Sequence, residues 1–174
     1  DIDGLGKANR ALLWENKKEG FLPATTKGIM SLLSYYQIQI AGKHAVVVGR
    51  SSLVGKPTAL ALLNADATVT IAHSRTVNLS EITRSADILI VAAGKPNFIQ
   101  RDDGREGQVV VDVGITAVTG ERLSDEVSEK SVTGDVHFED VKNVVGAISP
   151  VPGGVGPMTV ASLFENLISA YEKA

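Results

Sequence analysis

The sequence predicts an α/β fold: a doubly wound, mostly parallel sheet with helices on its faces. Three observations carry that expectation. Short apolar runs recur at 44–48 (HAVVV), 67–72 (ATVTIA), 87–92 (DILIVA) and 108–113 (QVVVDV). They are continuous rather than alternating, as strands covered on both faces require. Short helical stretches lie between them, so successive strands run parallel through right-handed crossovers. Finally, the first run stops at a glycine turn that opens a helix, the arrangement with which an open α/β sheet holds an anion.

Composition bounds the rest. The chain has 174 residues, room for one domain with a sizeable core. Lys and Arg total 17 against 20 Asp and Glu, a net charge of −3 with the basic residues scattered. That is no electrostatic footprint for nucleic acid. No cysteine is present, which excludes disulfides and thiolate metal sites and fits a reducing, cytoplasmic compartment. The histidines, at 44, 73 and 137, lack metal-ligand spacing, so no metal is expected. No apolar run reaches bilayer length, so no membrane partner is expected either. The chain opens at Asp1 without a methionine and reads as a piece of something longer.

Residues 1–20 begin with two carboxylates and the turn dipeptide Asp3-Gly4. Ala11, Leu12 and Trp14 form a short helical turn before Gly20. Asp1 and Asp3 read either as a solvated loop or as carboxylates at a pocket edge that accept hydrogen bonds from a polar heterocycle. Phe21-Leu22-Pro23 is extended, because the residue before proline avoids the helical region. Thr25 or Thr26 then caps a helix with Ile29, Met30, Leu32, Leu33 and Tyr36 at helical spacing, a core-packing stripe. The first strand, His44–Val48, follows Gly42 and Lys43. Helix is expected at about 54–64 and near 79–85, with a further strand near 144–148.

The turn after the first strand, Gly49-Arg50-Ser51-Ser52-Leu53-Val54-Gly55-Lys56-Pro57, is a modified dinucleotide loop. The usual fingerprint places glycines where this chain has Gly49, Ser51 and Val54, with Gly55 one place late. A P-loop for ATP fails on spacing: five residues separate Gly49 from Gly55, and Pro57 follows Lys56. Pro57 sits in the first helical turn, where its missing N–H costs nothing. The alternative is a tight strand-to-helix turn with no ligand.

The end of the second strand selects the nucleotide. NAD-binding versions carry an Asp or Glu roughly 20 residues on, to hold the ribose 2′-hydroxyl. Here the strand ends in Ala72-His73-Ser74-Arg75-Thr76, with no carboxylate. A histidine, hydroxyls and Arg75, with Arg50 in the neighbouring turn, suit a 2′-phosphate through charge-assisted hydrogen bonds. The reading is NADP. Gly94, in Ala93-Gly94-Lys95-Pro96, and Gly114-Ile115 complete the cleft, because ligands lie outside the carboxyl ends of the strands. Small residues there admit the nicotinamide ribose, and Ile115 offers its backbone to the carboxamide. Asp112 is a charged candidate inside a strand, or only a cap.

Residues 149–159, SPVPGGVGPMT, hold three prolines and three glycines, and neither helix nor regular strand is expected there. The loop offers a shaped backbone surface to a flat ligand, or serves as a linker. Thr159 onward reads as a helix with Val160, Leu163, Phe164, Leu167, Ile168 and Tyr171 along one side.

Taken together, Gly49-Arg50-Ser51-x-x-Val54-Gly55-x-Pro57, His73-Ser74-x-Thr76, Asp112-Val113-Gly114-Ile115, Gly134-Asp135-Val136 and Pro150 through Thr159 resemble the bifunctional methylenetetrahydrofolate dehydrogenase/cyclohydrolase family. Asp1-Ile2-Asp3-Gly4 and Phe21-Leu22-Pro23 match it too, so the resemblance covers the whole chain. It implies a Rossmann-type fold, NADP as cofactor and a folate substrate, 5,10-methylenetetrahydrofolate. It implies that Gly49, Arg50 and Ser51 hold the cofactor phosphates, with Arg50 and Ser74 near the 2′-phosphate, while Gly55, His73 and Arg75 are cofactor-binding candidates on the residue reading of the same two turns. Ile115 would meet the nicotinamide end, beside Gly94 and Gly114 of the cleft. Asp3 would bind the pterin, and Pro152, Gly153, Gly154, Val155 and Gly156 would lie along the folate. A homodimer is implied as well.

Two departures stand out. The family pattern after Phe-Leu-Pro is Cys-Thr-Pro, where this chain has Ala24-Thr25-Thr26. The family's N-terminal domain also carries a tyrosine and a lysine for the cyclohydrolase step, and no stretch here matches it. No catalytic residue is therefore expected in this chain. Residues 1–37 are expected to be an interdomain segment and 38–148 the nucleotide domain. Residues 149–174 would be the folate-site loop and a helix that packs on the N-terminal domain. The alternatives are another NADP-dependent dehydrogenase of this architecture, such as a shikimate or amino-acid dehydrogenase relative, and a non-catalytic nucleotide-binding module.

Overall fold

The structure is a computed structural model and describes residues 1–124 and 127–173. In chain order its elements are α1 (Lys7–Trp14), α2 (Ala24–Tyr35), β1 (His44–Val48), α3 (Gly55–Asn64), β2 (Thr68–Ala72), α4 (Leu79–Ser85) and β3 (Ile88–Val91). There follow β4 (Val109–Asp112), β5 (Thr116–Ser124), β6 (Val127–Thr133), α5 (Phe138–Val141), β7 (Ala147–Ile148) and α6 (Val155–Glu172). Five strands form one sheet in the order β2-β1-β3-β4-β7, and all of its pairings are parallel.

Alternation along β1 feeds two cores. Ala45 and Val47 face one side, with Ile88, Ile90 and Val111, and pack against Ile29 and Leu33 of α2, Leu62 of α3 and Val155 of α6. Val46 and Val48 face the other side, with Leu89, Val91 and Val110, and meet Ile99, Val136, Val141 and the flanks of α4. The helix after β1 and the helix after β2 thus lie on opposite faces, which makes the sheet doubly wound. The chain departs in both directions from β1, so the switch point lies between β1 and β3, where the two strand ends diverge.

Three expectations are corrected and one element is added. Neither Thr25 nor Thr26 caps α2. Its N-cap is Pro23, and Thr26 is buried inside the helix with its hydroxyl 3.1 Å from that of Thr58. The position where the family pattern has proline thus carries a polar contact between α2 and α3. The strand expected at 144–148 shrinks to Ala147–Ile148, because the Val144 N–H donates to Val141 in the turn after α5. The last helix starts at Val155 rather than Thr159, so Val155 and Gly156 are helical. Pro157 lies in its first turn, where no N–H is needed. Finally, β5 and β6 pair as an antiparallel hairpin that the sequence reading left unassigned.

Helix α6 inverts the usual pattern. Its buried residues are Val155, Ser162 and Asn166. Val160, Phe164, Leu167, Ile168 and Tyr171 are exposed, Tyr171 to 84%. The apolar stripe expected on this helix is therefore real, and it faces outward.

Candidate functional site

The carboxyl ends of the strands stand in a row. Register places Val48 beside Ala72 and Val91, and Val91 beside Asp112. The chain leaves each strand at one edge of the sheet, so Gly49, His73, Ala92, Val113 and Ser149 begin neighbouring turns.

The first turn is glycine-dependent. Gly49 has φ 137° and donates its N–H to the Ala72 carbonyl at 2.9 Å. A side chain there would run into the Ala92 carbonyl, and one on Gly55 would run into Gly49. The turn folds back on itself at the start of α3, main chain against main chain. Ser51 has a structural task as well. Its hydroxyl oxygen accepts the N–H groups of Val54 (3.1 Å) and Gly55 (3.3 Å). Two of the free donors expected at this helix start are thus already engaged, and the Ser51 O–H remains to donate outward. Arg50, Ser51, Ser52 and Leu53 are exposed.

The adjoining turn is held by its own side chains. The His73 N–H donates to the Thr76 hydroxyl at 2.8 Å, and the Arg75 N–H donates to His73 Nδ1 at 3.2 Å. With Nδ1 accepting, the ring proton of neutral His73 sits on Nε2. Ser74 and Arg75 are exposed beside the Arg50 turn, because the Gly49–Ala72 bond joins the two strand ends. The four groups expected near a 2′-phosphate therefore share one corner of the sheet.

The third and fourth turns are stitched together by buried carboxylates. Asp112 is 3% exposed and accepts N–H groups from Gly114 (2.9 Å), Asp135 (3.0 Å) and Val136 (2.9 Å). Burial pushes its carboxyl above the ordinary value, against those three backbone donors, and the Asp135 charge adds to the rise. Asp135 is fully buried and accepts the Gly94 N–H at 2.7 Å. Asp112 is therefore a fastener of this edge rather than a helix cap.

Ile115, 66% exposed, closes the row. Its Cδ1 lies 3.8 Å from the place a Cβ on Gly156 would occupy, so the fourth turn meets the start of α6. The Ser149 hydroxyl accepts the Asp112 N–H at 2.9 Å and anchors the proline-glycine stretch to β4. That stretch contains a cis Val151–Pro152 bond, a Gly153 at φ 101° and a Gly154 whose side chain would run into the Pro150 carbonyl.

Asp3 lies apart from this cluster. It is exposed, and Gly4 packs at φ 71° against Leu22 and Pro23. Asn166 of α6 donates to the Ile2 carbonyl (2.9 Å) and the Leu22 carbonyl (3.0 Å). Asn166 is eleven residues beyond Val155, a helical rise of about 16 Å. The 152–156 stretch thus leads into the start of α6, and Asp3 lies beside the helix near Asn166. A cavity of about 440 Å³ among α1, α2, α3 and the end of α6 is lined by Asn9, Leu13, Lys27 and Lys173 and holds none of the residues named for the strand edge. The sequence reading missed Asn166 and the roles of Ser149 and Asp135. The Gly134-Asp135-Val136 triplet was the one available signal, since a carboxylate between two buried, apolar-flanked positions needs backbone donors.

A doubly wound parallel sheet with a glycine turn at its switch point and a second backbone surface at the far end of the same edge defines a Rossmann-type domain. The comparisons agree and narrow the class. Residues 23–174 match the family model described as tetrahydrofolate dehydrogenase/cyclohydrolase, NAD(P)-binding domain. The chain is 49% identical over 173 residues to the bifunctional protein FolD of Acholeplasma laidlawii, covering 99% of this chain and 58% of that protein. It is 51% identical over 168 residues to the FolD of Latilactobacillus sakei, covering 97% and 56%. Among solved structures, the Campylobacter jejuni bifunctional enzyme FolD superposes with a TM-score of 0.90 at 46% identity, over 99% of this chain and 58% of that one. The Trypanosoma brucei FolD, complexed with NADP cofactor and inhibitor, gives 0.91 at 35% identity, over 99% and 58%. The chain belongs to the tetrahydrofolate dehydrogenase/cyclohydrolase family and carries its NAD(P)-binding domain. It spans just over half the length of the curated relatives it matches.

Proposed function

We propose that this chain binds NADP along the carboxyl edge of its sheet and a reduced folate beside it. In the intact protein it would take part in oxidising 5,10-methylenetetrahydrofolate to the 5,10-methenyl form, a step of one-carbon metabolism that feeds purine biosynthesis. The observation that carries this reading is the approach of Ile115 to Gly156. It joins the row of nucleotide turns to the proline-glycine stretch, so two flat ligands laid on these surfaces would meet there.

The residues fit the cofactor. Gly49 and Gly55 let the turn pack main chain on main chain, with no room for a Cβ, and Arg50, Ser51, Ser74 and Arg75 are exposed donors on its outer side. Arg50 with Ser74 and Arg75 would hold the 2′-phosphate, with His73 fixing their turn. Gly94, Gly114 and Ile115 would seat the nicotinamide half. When bound, NADP supplies the hydride acceptor. The protein's part is orientation: two rings held face to face need little acid–base help, which suits a site of backbone and small residues. Pro152, Gly153, Gly154, Val155 and Gly156 would border the folate, and Asp3 would accept hydrogen bonds from its pterin.

The subsequent hydrolysis to 10-formyltetrahydrofolate is assigned to no residue of this chain. It belongs to a neighbouring domain that packs on the outward apolar face of α6. Residues 1–37 would lead from that domain, 38–148 form the nucleotide unit, and 149–174 return. A cytoplasmic homodimer completes the reading. Among the described residues no helix is long and apolar enough to cross a membrane.

The test is direct. The intact protein is mixed with 5,10-methylenetetrahydrofolate and NADP, and the absorbance of the reduced nicotinamide is followed. Its appearance only when both are present supports the reading, and its absence overturns it.

A further inference from the structure

Beneath the cofactor edge lies a buried carboxylate with no part in the proposed chemistry. Asp135 follows β6 and is completely buried. Its main chain is fixed twice: its N–H donates to Asp112 at 3.0 Å, and its carbonyl accepts the Ile99 N–H at 3.0 Å. Its side chain is not tied down so fully. Oδ2 accepts the Gly94 N–H at 2.7 Å, while Oδ1 is buried with no hydrogen-bond partner. The carboxylate also lies flat against Gly114, where an added Cβ would run into its Cγ and Oδ1.

Two points follow. A carboxylate with one unpartnered buried oxygen is a poor choice for stability alone, since that oxygen has given up its water without gaining a donor. And its two neighbours, Gly94 and Gly114, lie in the turns that follow β3 and β4, away from the Arg50 corner at β1 and β2. The side chain thus bears on one half of the edge and leaves the other alone.

We propose that Asp135 is a positioning residue: by holding the Gly94 amide and shaping the Gly114 backbone, it sets the seat of the nicotinamide half of the cofactor and leaves the adenosine half unaffected. The inference rests on the NADP reading above. It separates from a purely structural role because a general loosening of the fold weakens every ligand, whereas a misplaced Gly94–Gly114 pair weakens only those that carry nicotinamide.

The experiment measures binding of NADP and of 2′,5′-ADP, which lacks the nicotinamide riboside, to the intact protein by calorimetry. Wild type binds both; failure to bind either overturns the NADP reading itself rather than this one. Asp135→Ala is expected to weaken NADP by about tenfold, because the displaced Gly94 and Gly114 turns no longer meet the nicotinamide half, and to leave 2′,5′-ADP within about twofold. Asp135→Asn keeps the volume and an acceptor for Gly94 and restores most of the NADP affinity. Gly114→Ala attacks the same contact from its other side and gives the same selective loss, so it decides the matter if Asp135→Ala does not fold. Equal weakening of both ligands, or unchanged NADP binding, in the variant that folds overturns the proposal.

Discussion

Gly28 of α2 lies against the main chain of Met158 in α6, so close that a Cβ on it would stand 3.0 Å from the Met158 carbonyl carbon. The two helices cross there without a side chain between them. Gly28→Val would force them apart. A loss of about 1–3 kcal/mol of stability, the usual cost of overpacking, is expected in urea unfolding with an unchanged slope. An unaltered midpoint would mean that the crossing relaxes freely.

At the nucleotide corner, Arg50→Ala should weaken NADP binding far more than NAD binding. The missing charge-assisted bond to a 2′-phosphate is worth about 1.5–3 kcal/mol, or roughly tenfold to a hundredfold in Kd. NAD, which has no such phosphate, should change by less than about threefold. Equal losses for the two, measured by calorimetry, would move the 2′-phosphate elsewhere.

Acid stability should report on Asp87. It accepts the His44 N–H at 3.0 Å and the Arg105 guanidinium at 2.7 Å, joining the starts of β1 and β3. The His44 amide first, then Arg105 and Lys43, hold its carboxyl below the ordinary 3.8. A folded value below the unfolded one gives stability that is present above the unfolded pKa and lost as pH falls through the folded one. Asp112 has the opposite sign: its raised carboxyl favours the fold at low pH and loses that advantage as pH rises. Asp87→Asn should therefore flatten the loss of stability below about pH 4. The effect is small, because both partners are more than a third exposed. Identical pH profiles for the variant and wild type in urea titrations would refute it.

The outward face of α6 makes a prediction for the chain taken alone. Phe164 is 61% exposed, and Ile168 and Val160 nearly as much. Such a contiguous apolar stripe should bind anilinonaphthalene sulfonate more strongly than an ordinary compact monomer does. Phe164→Ser with Ile168→Ser should lower that fluorescence without lowering Tm. Unchanged fluorescence would place the dye elsewhere.

The sheet was legible because its strands are buried on both faces, so runs such as Ala45–Val48 and Ile88–Val91 carry no polar interruption to blur them. The tight strand-to-helix turn after β1 was legible because Gly49 and Gly55 are demanded by backbone clashes, Gly55 with Gly49 itself and Gly49 with Ala92 just past the adjacent strand. What stayed hidden depends on distant partners. Nothing in Thr26 announces Thr58, and nothing in Asn166 announces the carbonyls of Ile2 and Leu22. The start of α6 was misplaced because a dense run of proline and glycine looks like loop. Yet Pro157 falls where a helix tolerates it and Gly156 is simply small. The β5–β6 hairpin was missed because its sequence lacks the apolar continuity that betrayed the other strands.

Helix α6 also works as a lever. Eighteen residues in one unbroken rod make about 27 Å of arm. Asn166 and Lys27 grip it part-way along, and Gly156 sits at its tip against Ile115. Ten residues separate the grip at Asn166 from the tip, an arm of about 15 Å, so a tilt of about 5° under pressure on the outer stripe would swing the tip by about 1.3 Å. The spacing between Ile115 and Gly156 would then be set by whatever leans on the far end of the helix.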